Sequence, residues 1–209
     1  MVGEFMTAKG ATWATKTAYN NAELYRLYIA PELGKLRAAG IDPPRLRAFL
    51  EHLSQGRVVA GVTRPPLGYS GQRQVHVLLN GAYKRAIGDG ILRDNPTTHA
   101  RPLSPSKGGA VRVDRLKHFT PEELGRFIQA ALKDRWAYPL AFLAFTGLRI
   151  GECLALTLED VGKDEDGRVF VEISKTRSEI GGRYHTGKAK TRASHRRVFL
   201  HPEAVGVIE

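Results

Sequence analysis

Residues 97 to 117 carry Pro102, Pro105, Gly108 and Gly109 among serine, threonine and basic residues, with no periodic apolar face. Neither a helix nor a half-buried strand suits such a stretch, so it reads as a linker between two units that must each bury a core of their own. The unit before it, residues 12–96, shows helical periodicity punctuated by cap signals and no convincing strand alternation. One helix is expected from Lys16 to about Ile29, where Pro31 and Gly34 would end it. Asp42 caps a second, with Leu46, Phe49, Leu50 and Leu53 inward, and Ser70 opens a third through Val75, Leu78, Leu79, Ala82 and Ala86. Residues 1–11 read as a tag or disordered start, because Met1 to Phe5 looks like a vector scar ahead of a second methionine.

The unit after the linker, residues 118–209, opens on Thr120-Pro121-Glu122-Glu123, which has the form of a capping box with proline at the first helical position. A second apolar helix runs from about Trp136 to Phe145 and stops at Gly147, and a short one follows from about Arg149 to Leu156. Val169, Val171 and Ile173 then alternate as a half-buried strand does, with further strands expected at 183–186 and 197–200. His201-Pro202-Glu203-Ala204 looks like a helix start, so the second domain is expected to be truncated at its C-terminus. The fold class is therefore mainly α with a small β-sheet: a helical bundle, then an α+β domain with a three-stranded antiparallel sheet.

Charge narrows the function. Lys and Arg number 32 against 21 acids, a formal +11, and residues 175–197 hold eight Lys/Arg and one acid, Glu179. A solvated loop mixes signs, so a one-sign stretch of that length points to an anionic partner, with nucleic acid foremost. Cys153 is the sole cysteine, which excludes an internal disulfide and fits a reducing cytoplasm. No apolar run approaches the ~20 residues of a membrane span. The histidines show no metal-site spacing, and Gly182 to Lys188 imitates a phosphate loop in a hairpin context without the hydroxyl that magnesium needs. No metal or other cofactor is expected.

The turn Thr146-Gly147-Leu148-Arg149-Ile150-Gly151-Glu152 places one arginine at the start of an apolar helix. A guanidinium there has a rigid donor fork and a helix terminus beside it, both suited to a phosphate, although an ordinary surface arginine fits the spacing as well.

FTPEEL, then FTGLRIGECLALTLEDV, then AKTRASHRRVFLHPEA follow one another in an order that resembles the tyrosine recombinases, the phage integrases. The first half, with Ile29-Ala30-Pro31-Glu32-Leu33-Gly34 and Gly90-Ile91-Leu92-Arg93-Asp94-Asn95-Pro96, is similar to that family's SAM-like core-binding domain. The resemblance implies a site-specific recombinase that binds double-stranded DNA, needs no cofactor, and acts as a tetramer on paired sites. It implies that Arg149 is a catalytic arginine on the scissile phosphate and that Lys190 is the general acid, with Lys188 and Lys175 as competitors. Glu152 matches an acidic position that supports Arg149, or is a plain helix-start acid. Arg192, Arg196 and Arg197, with Lys188, Lys175 and Arg177, would hold the DNA backbone. The family also requires a His-x-x-Arg motif and a nucleophilic tyrosine further on, whereas the seven tyrosines here all lie at or before Tyr184. These residues alone are expected to bind DNA as a monomer without cutting it. The alternatives are a binding-only regulator or architectural protein, and, more remotely, a basic RNA-associated protein.

Overall fold

The computed structural model describes residues 1–55, 57–59, 61–103, 118–188 and 194–208. Contacts divide the chain into two units, Met1–Val113 and Asp114–Glu209. In the first, helix α1 (Val2–Gly10) replaces the disordered start expected from sequence. Phe5 is buried, meets the Trp13 ring edge-on at 5.8 Å, and lies so near Gly81 that a Cβ there would sit 2.9 Å from the ring. Burying that ring contributes about 1.5 to 3 kcal/mol against the backbone entropy lost on ordering the segment.

Helix α2 (Thr15–Leu24) continues through a π turn (Tyr25–Ile29) into α3 (Ala30–Leu33), so the helical run passes Pro31 and ends at Leu33, with Gly34 at its C-cap as expected. The wide turn resets the hydrogen-bond ladder, and Pro31 falls in the first turn of α3, where its missing N–H is not required. Helix α4 (Pro43–Gln55) starts as read, with Asp42 Oδ1 accepting from the Arg45 amide at 2.8 Å. Strands β1 (Arg57–Val59) and β2 (Val62–Arg64) form an antiparallel hairpin that sequence missed, since three residues a side leave no measurable alternation. Helix α5 (Tyr69–Gly88) begins after Gly68 and so does not use Ser70 as its cap. Its inward residues Val75, Leu78, Leu79 and Ala82 pack on Leu46, Phe49, Leu50 and Leu53 of α4 and on Ile29.

Packing in this unit runs past the boundary expected at residue 96. Thr97 and Ala100 are fully buried, and Asn80, Asn95 and Thr97 bind one another at 2.7 to 3.1 Å.

In the second unit, α6 (Pro121–Ala131) carries the expected capping box: the Glu123 amide donates to Thr120 Oγ1 at 3.2 Å and the Thr120 amide to Glu123 Oε2 at 2.9 Å. Helix α7 (Tyr138–Thr146) ends at Gly147, whose φ of 65° turns the chain into the single-turn helix α8 (Ile150–Cys153). The core gathers Phe142, Leu148, Val171, Ile173 and Ala204, the last from α9 (Pro202–Val205).

The three-stranded antiparallel sheet exists, but with a different membership from that expected. It is ordered β3 (Val161–Lys163), β4 (Val169–Ile173) and β7 (Arg196–Phe199), while the 183–186 segment pairs elsewhere. That segment is β6 (Arg183–Lys188), which forms a separate hairpin with β5 (Lys175–Ile180) through Gly181 and Gly182. Every residue of β6 is exposed, so no apolar face draws it onto the sheet. Among the described residues no helix is long and apolar enough to cross a membrane.

Candidate functional site

Arg149 occupies the N-cap of α8, with extended backbone at φ −71° and ψ 146°. Leu148 before it is buried and anchors the turn in the core, so the arginine side chain projects outward and is 76% exposed. The helix that follows is one turn long, shorter than the run to Leu156 expected from sequence, and its dipole is correspondingly small. The field at Arg149 is thus made by side chains.

Glu152 is the centre of the arrangement. Its side chain is 6% exposed and accepts four hydrogen bonds. The Arg149 amide donates to Oε2 at 3.0 Å and Arg149 Nη1 to Oε1 at 3.0 Å. Arg196, from β7, donates Nη2 to Oε2 at 2.9 Å and Nη1 to Oε1 at 3.2 Å, a fork-to-carboxylate pair spanning 44 positions of sequence. The Arg196 hydrogen bonds, with those from Arg149, hold the Glu152 carboxyl down to about 2 against the desolvation that would raise it. Glu152 is therefore ionised at neutral pH and fixed in place. The Nε and Nη2 donors of Arg149 have no protein partner among the described residues. A guanidinium anchored by one nitrogen with the rest of its fork facing solvent can take a phosphate oxygen in a set orientation.

Gly151 explains how the β5–β6 hairpin reaches this turn. A Cβ at that position would lie 2.6 Å from Thr176 Oγ1 and 2.8 Å from the Arg177 carbonyl oxygen, so only glycine lets β5 run this close to α8. The register places Lys175 opposite Lys188, Arg177 opposite Thr186 and Glu179 opposite Tyr184, all on one face of the hairpin. Directly opposed lysines repel, and the repulsion is relieved because Lys175 is neutralised: its ammonium lies 2.9 Å from Asp160 Oδ2 and 3.2 Å from Thr157 Oγ1. Asp160 is lowered in turn: its desolvation, which would raise it, is outweighed by the Lys175 and Thr157 hydrogen bonds. Arg177, whose Nε donates to Thr186 Oγ1 at 3.2 Å, is exposed, and so are Arg183, Tyr184 and Lys188.

The residues grouped from sequence as backbone holders thus separate. The pleat of β7 sends adjacent arginines to opposite faces: Arg196 to Glu152, and Arg197 over the Phe170 ring at 4.5 Å. Lys175 is engaged by Asp160, while Arg177, Arg197 and Lys188 are exposed cations. Lys190 and Arg192 lie outside the described residues. From its spacing of three, Glu152 was read either as a support for Arg149 or as a plain helix-start acid, and the structure joins the two side chains. Sequence reasoning missed the part of Arg196, for which the strand alternation at Arg196-Arg197 was the one available sign.

No protein-family model matches the chain. The "Integrase" of Mycobacterium phage L5 is 23% identical over 194 residues, which is 93% of this chain and 46% of the phage protein. The "ICEBs1 integrase" of Bacillus subtilis (strain 168) is 28% identical over 135 residues, 63% of this chain and 34% of that protein. The chain therefore spans about half or less of the length of these curated relatives. Among solved structures, the Tn1549 transposon integrase in complex with a circular intermediate DNA superposes with a TM-score of 0.73 at 18% identity, covering 99% of this chain and 63% of that one. A lambda integrase dimer bound to a COC′ core site superposes with a TM-score of 0.60 at 15% identity, covering 98% and 63%.

Proposed function

The two integrase matches and the shared fold support membership of the tyrosine recombinase family, and from that premise we propose that this chain is a DNA-binding portion of a site-specific recombinase or integrase. The observation that carries the proposal is the exposed Arg149 fork held from beneath by the buried, ionised Glu152, beside a hairpin with an exposed basic face. Arg149 binds a phosphate of duplex DNA and, in the reacting complex, neutralises the charge that grows on the pentavalent phosphorus. A tyrosine oxygen supplied by further polypeptide attacks that phosphorus, and the departing 5′ oxygen takes a proton from Lys190. The product is a 3′-phosphotyrosyl link, which a new 5′ hydroxyl reverses during strand exchange, so bond energy is kept without nucleotide or metal. Arg177, Lys188, Arg192 and Arg197 neutralise neighbouring backbone phosphates. The 209 residues supply the phosphate-holding arginine and the general acid of this chemistry; on their own they bind DNA as a monomer without cleaving it, and in the assembled tetramer they act in the cytoplasm.

Titration of short duplex DNA at several salt concentrations tests the proposal. With about six to ten phosphates neutralised, affinity falls about 10³- to 10⁵-fold between 50 and 200 mM salt. Absent or salt-insensitive binding overturns it.

A further inference from the structure

We propose that Arg196 is a positioning residue for Arg149, acting through the Glu152 carboxylate, and not a holder of the DNA backbone; this rests on the reading of Arg149 as a phosphate-holding group. A carboxylate offers two oxygens with roughly four acceptor directions. Arg196 takes one on each oxygen, at 2.9 and 3.2 Å, and Arg149 takes the other two through its amide and Nη1, both at 3.0 Å. Glu152 is thereby saturated, and its plane is set by the arginine on the sheet.

A buried Glu152 paired with Arg149 alone is a neutral unit that competes with phosphate for the same guanidinium. With Arg196 added, the trio carries a net positive charge, and the exposed member bears it: Arg149 is 76% exposed and Arg196 only 35%. The bidentate fork on Arg196 occupies the carboxylate and leaves Arg149 attractive to an anion. Arg196 pairs with Ile173 in the central strand of the sheet, so the brace is built on a rigid element, and its Nη1 also donates to the Ser194 carbonyl at 3.4 Å.

The test uses the 209-residue chain carrying Arg149→Gln, Arg196→Gln or both, with affinity for a short DNA duplex as the first readout. Arg196→Gln is expected to weaken binding as much as Arg149→Gln does, up to about tenfold, and to cost less than about twofold more when Arg149 is already replaced. An equal loss in both backgrounds overturns the proposal, because it marks Arg196 as an independent phosphate contact or a general prop of the fold. Arg196→Lys keeps the charge but cannot bridge both oxygens, so it is expected to recover only part of the affinity lost in Arg196→Gln, and it serves if the glutamine variant does not fold. Full recovery of affinity with lysine overturns the proposal. The second readout needs no DNA: the NMR signal of the Arg149 Nη1 protons, resolved in the parent by the bond to Glu152, is expected to collapse into an averaged line in the folded Arg196 variants. If the parent binds no duplex, the phosphate reading of Arg149 fails and this signal alone decides the positioning claim, with an unchanged Arg149 line overturning it.

Discussion

Glu152 is the residue on which the local electrostatics turn. Its carboxyl is held at about 2 in the folded chain, below its ordinary 4.5, chiefly by the Arg196 hydrogen bonds. A depressed carboxyl stabilises the fold above its unfolded value and loses that contribution as the group is protonated. On the order of 3 kcal/mol is therefore present at neutral pH and drains away as pH falls from about 5 to about 2. Urea denaturation across that range should show the decline in the parent and a flatter profile in Glu152→Gln; parallel profiles would contradict the assignment. At pH 7 the same variant should lose about 2 to 3 kcal/mol, because two arginines lose a charged partner in a partly buried place. Half of this cluster was legible in the sequence, where three positions separate Arg149 from Glu152 on one helical turn. The other half was not, since a pairing across 44 positions has no local signature and depends on which way a strand pleats.

Elements were legible where the chain's own chemistry determines them and illegible where packing does. The Thr120 to Glu123 capping box and the Asp42 cap are local hydrogen bonds, and both formed as read. Sheet membership was not local. Residues 183–186 look strand-like and are a strand, but all of β6 is exposed, and the third place in the sheet is taken by the short segment Val161–Lys163, whose half-buried Val161 packs against the core. The register of α8 against β5 depends on one missing side chain. Gly151→Ala drives a Cβ into Thr176 Oγ1 and the Arg177 carbonyl, one of them immovable backbone, and should cost about 2 to 3 kcal/mol by chemical denaturation. A neutral result would mean that α8 and β5 are not in such close contact. The N-terminal helix makes a comparable claim: Phe5→Ala should destabilise the first unit by about 2 to 4 kcal/mol, whereas a dispensable tail would show no change.

At the scale of the whole molecule, an excess of 11 positive charges gives a long-range pull on any polyanion, and the pull by itself selects nothing. The proposed selection of one phosphate requires a donor set fixed in orientation; Arg149 is tied to Glu152, and Glu152 to Arg196, whereas Arg183 and Lys188 of the hairpin are exposed. Contacts divide the chain into two units, and the first unit's packing takes in Thr97, bound to Asn80 and Asn95, and the buried Ala100. The most direct test of the central claim is the salt dependence of duplex affinity for the parent and Arg149→Gln measured side by side. If Arg149 holds a phosphate, the variant binds up to about tenfold more weakly and the slope of log affinity against log salt becomes shallower by about 0.9. Identical affinities and identical slopes would show that Arg149 touches no phosphate and would contradict its phosphate-holding role.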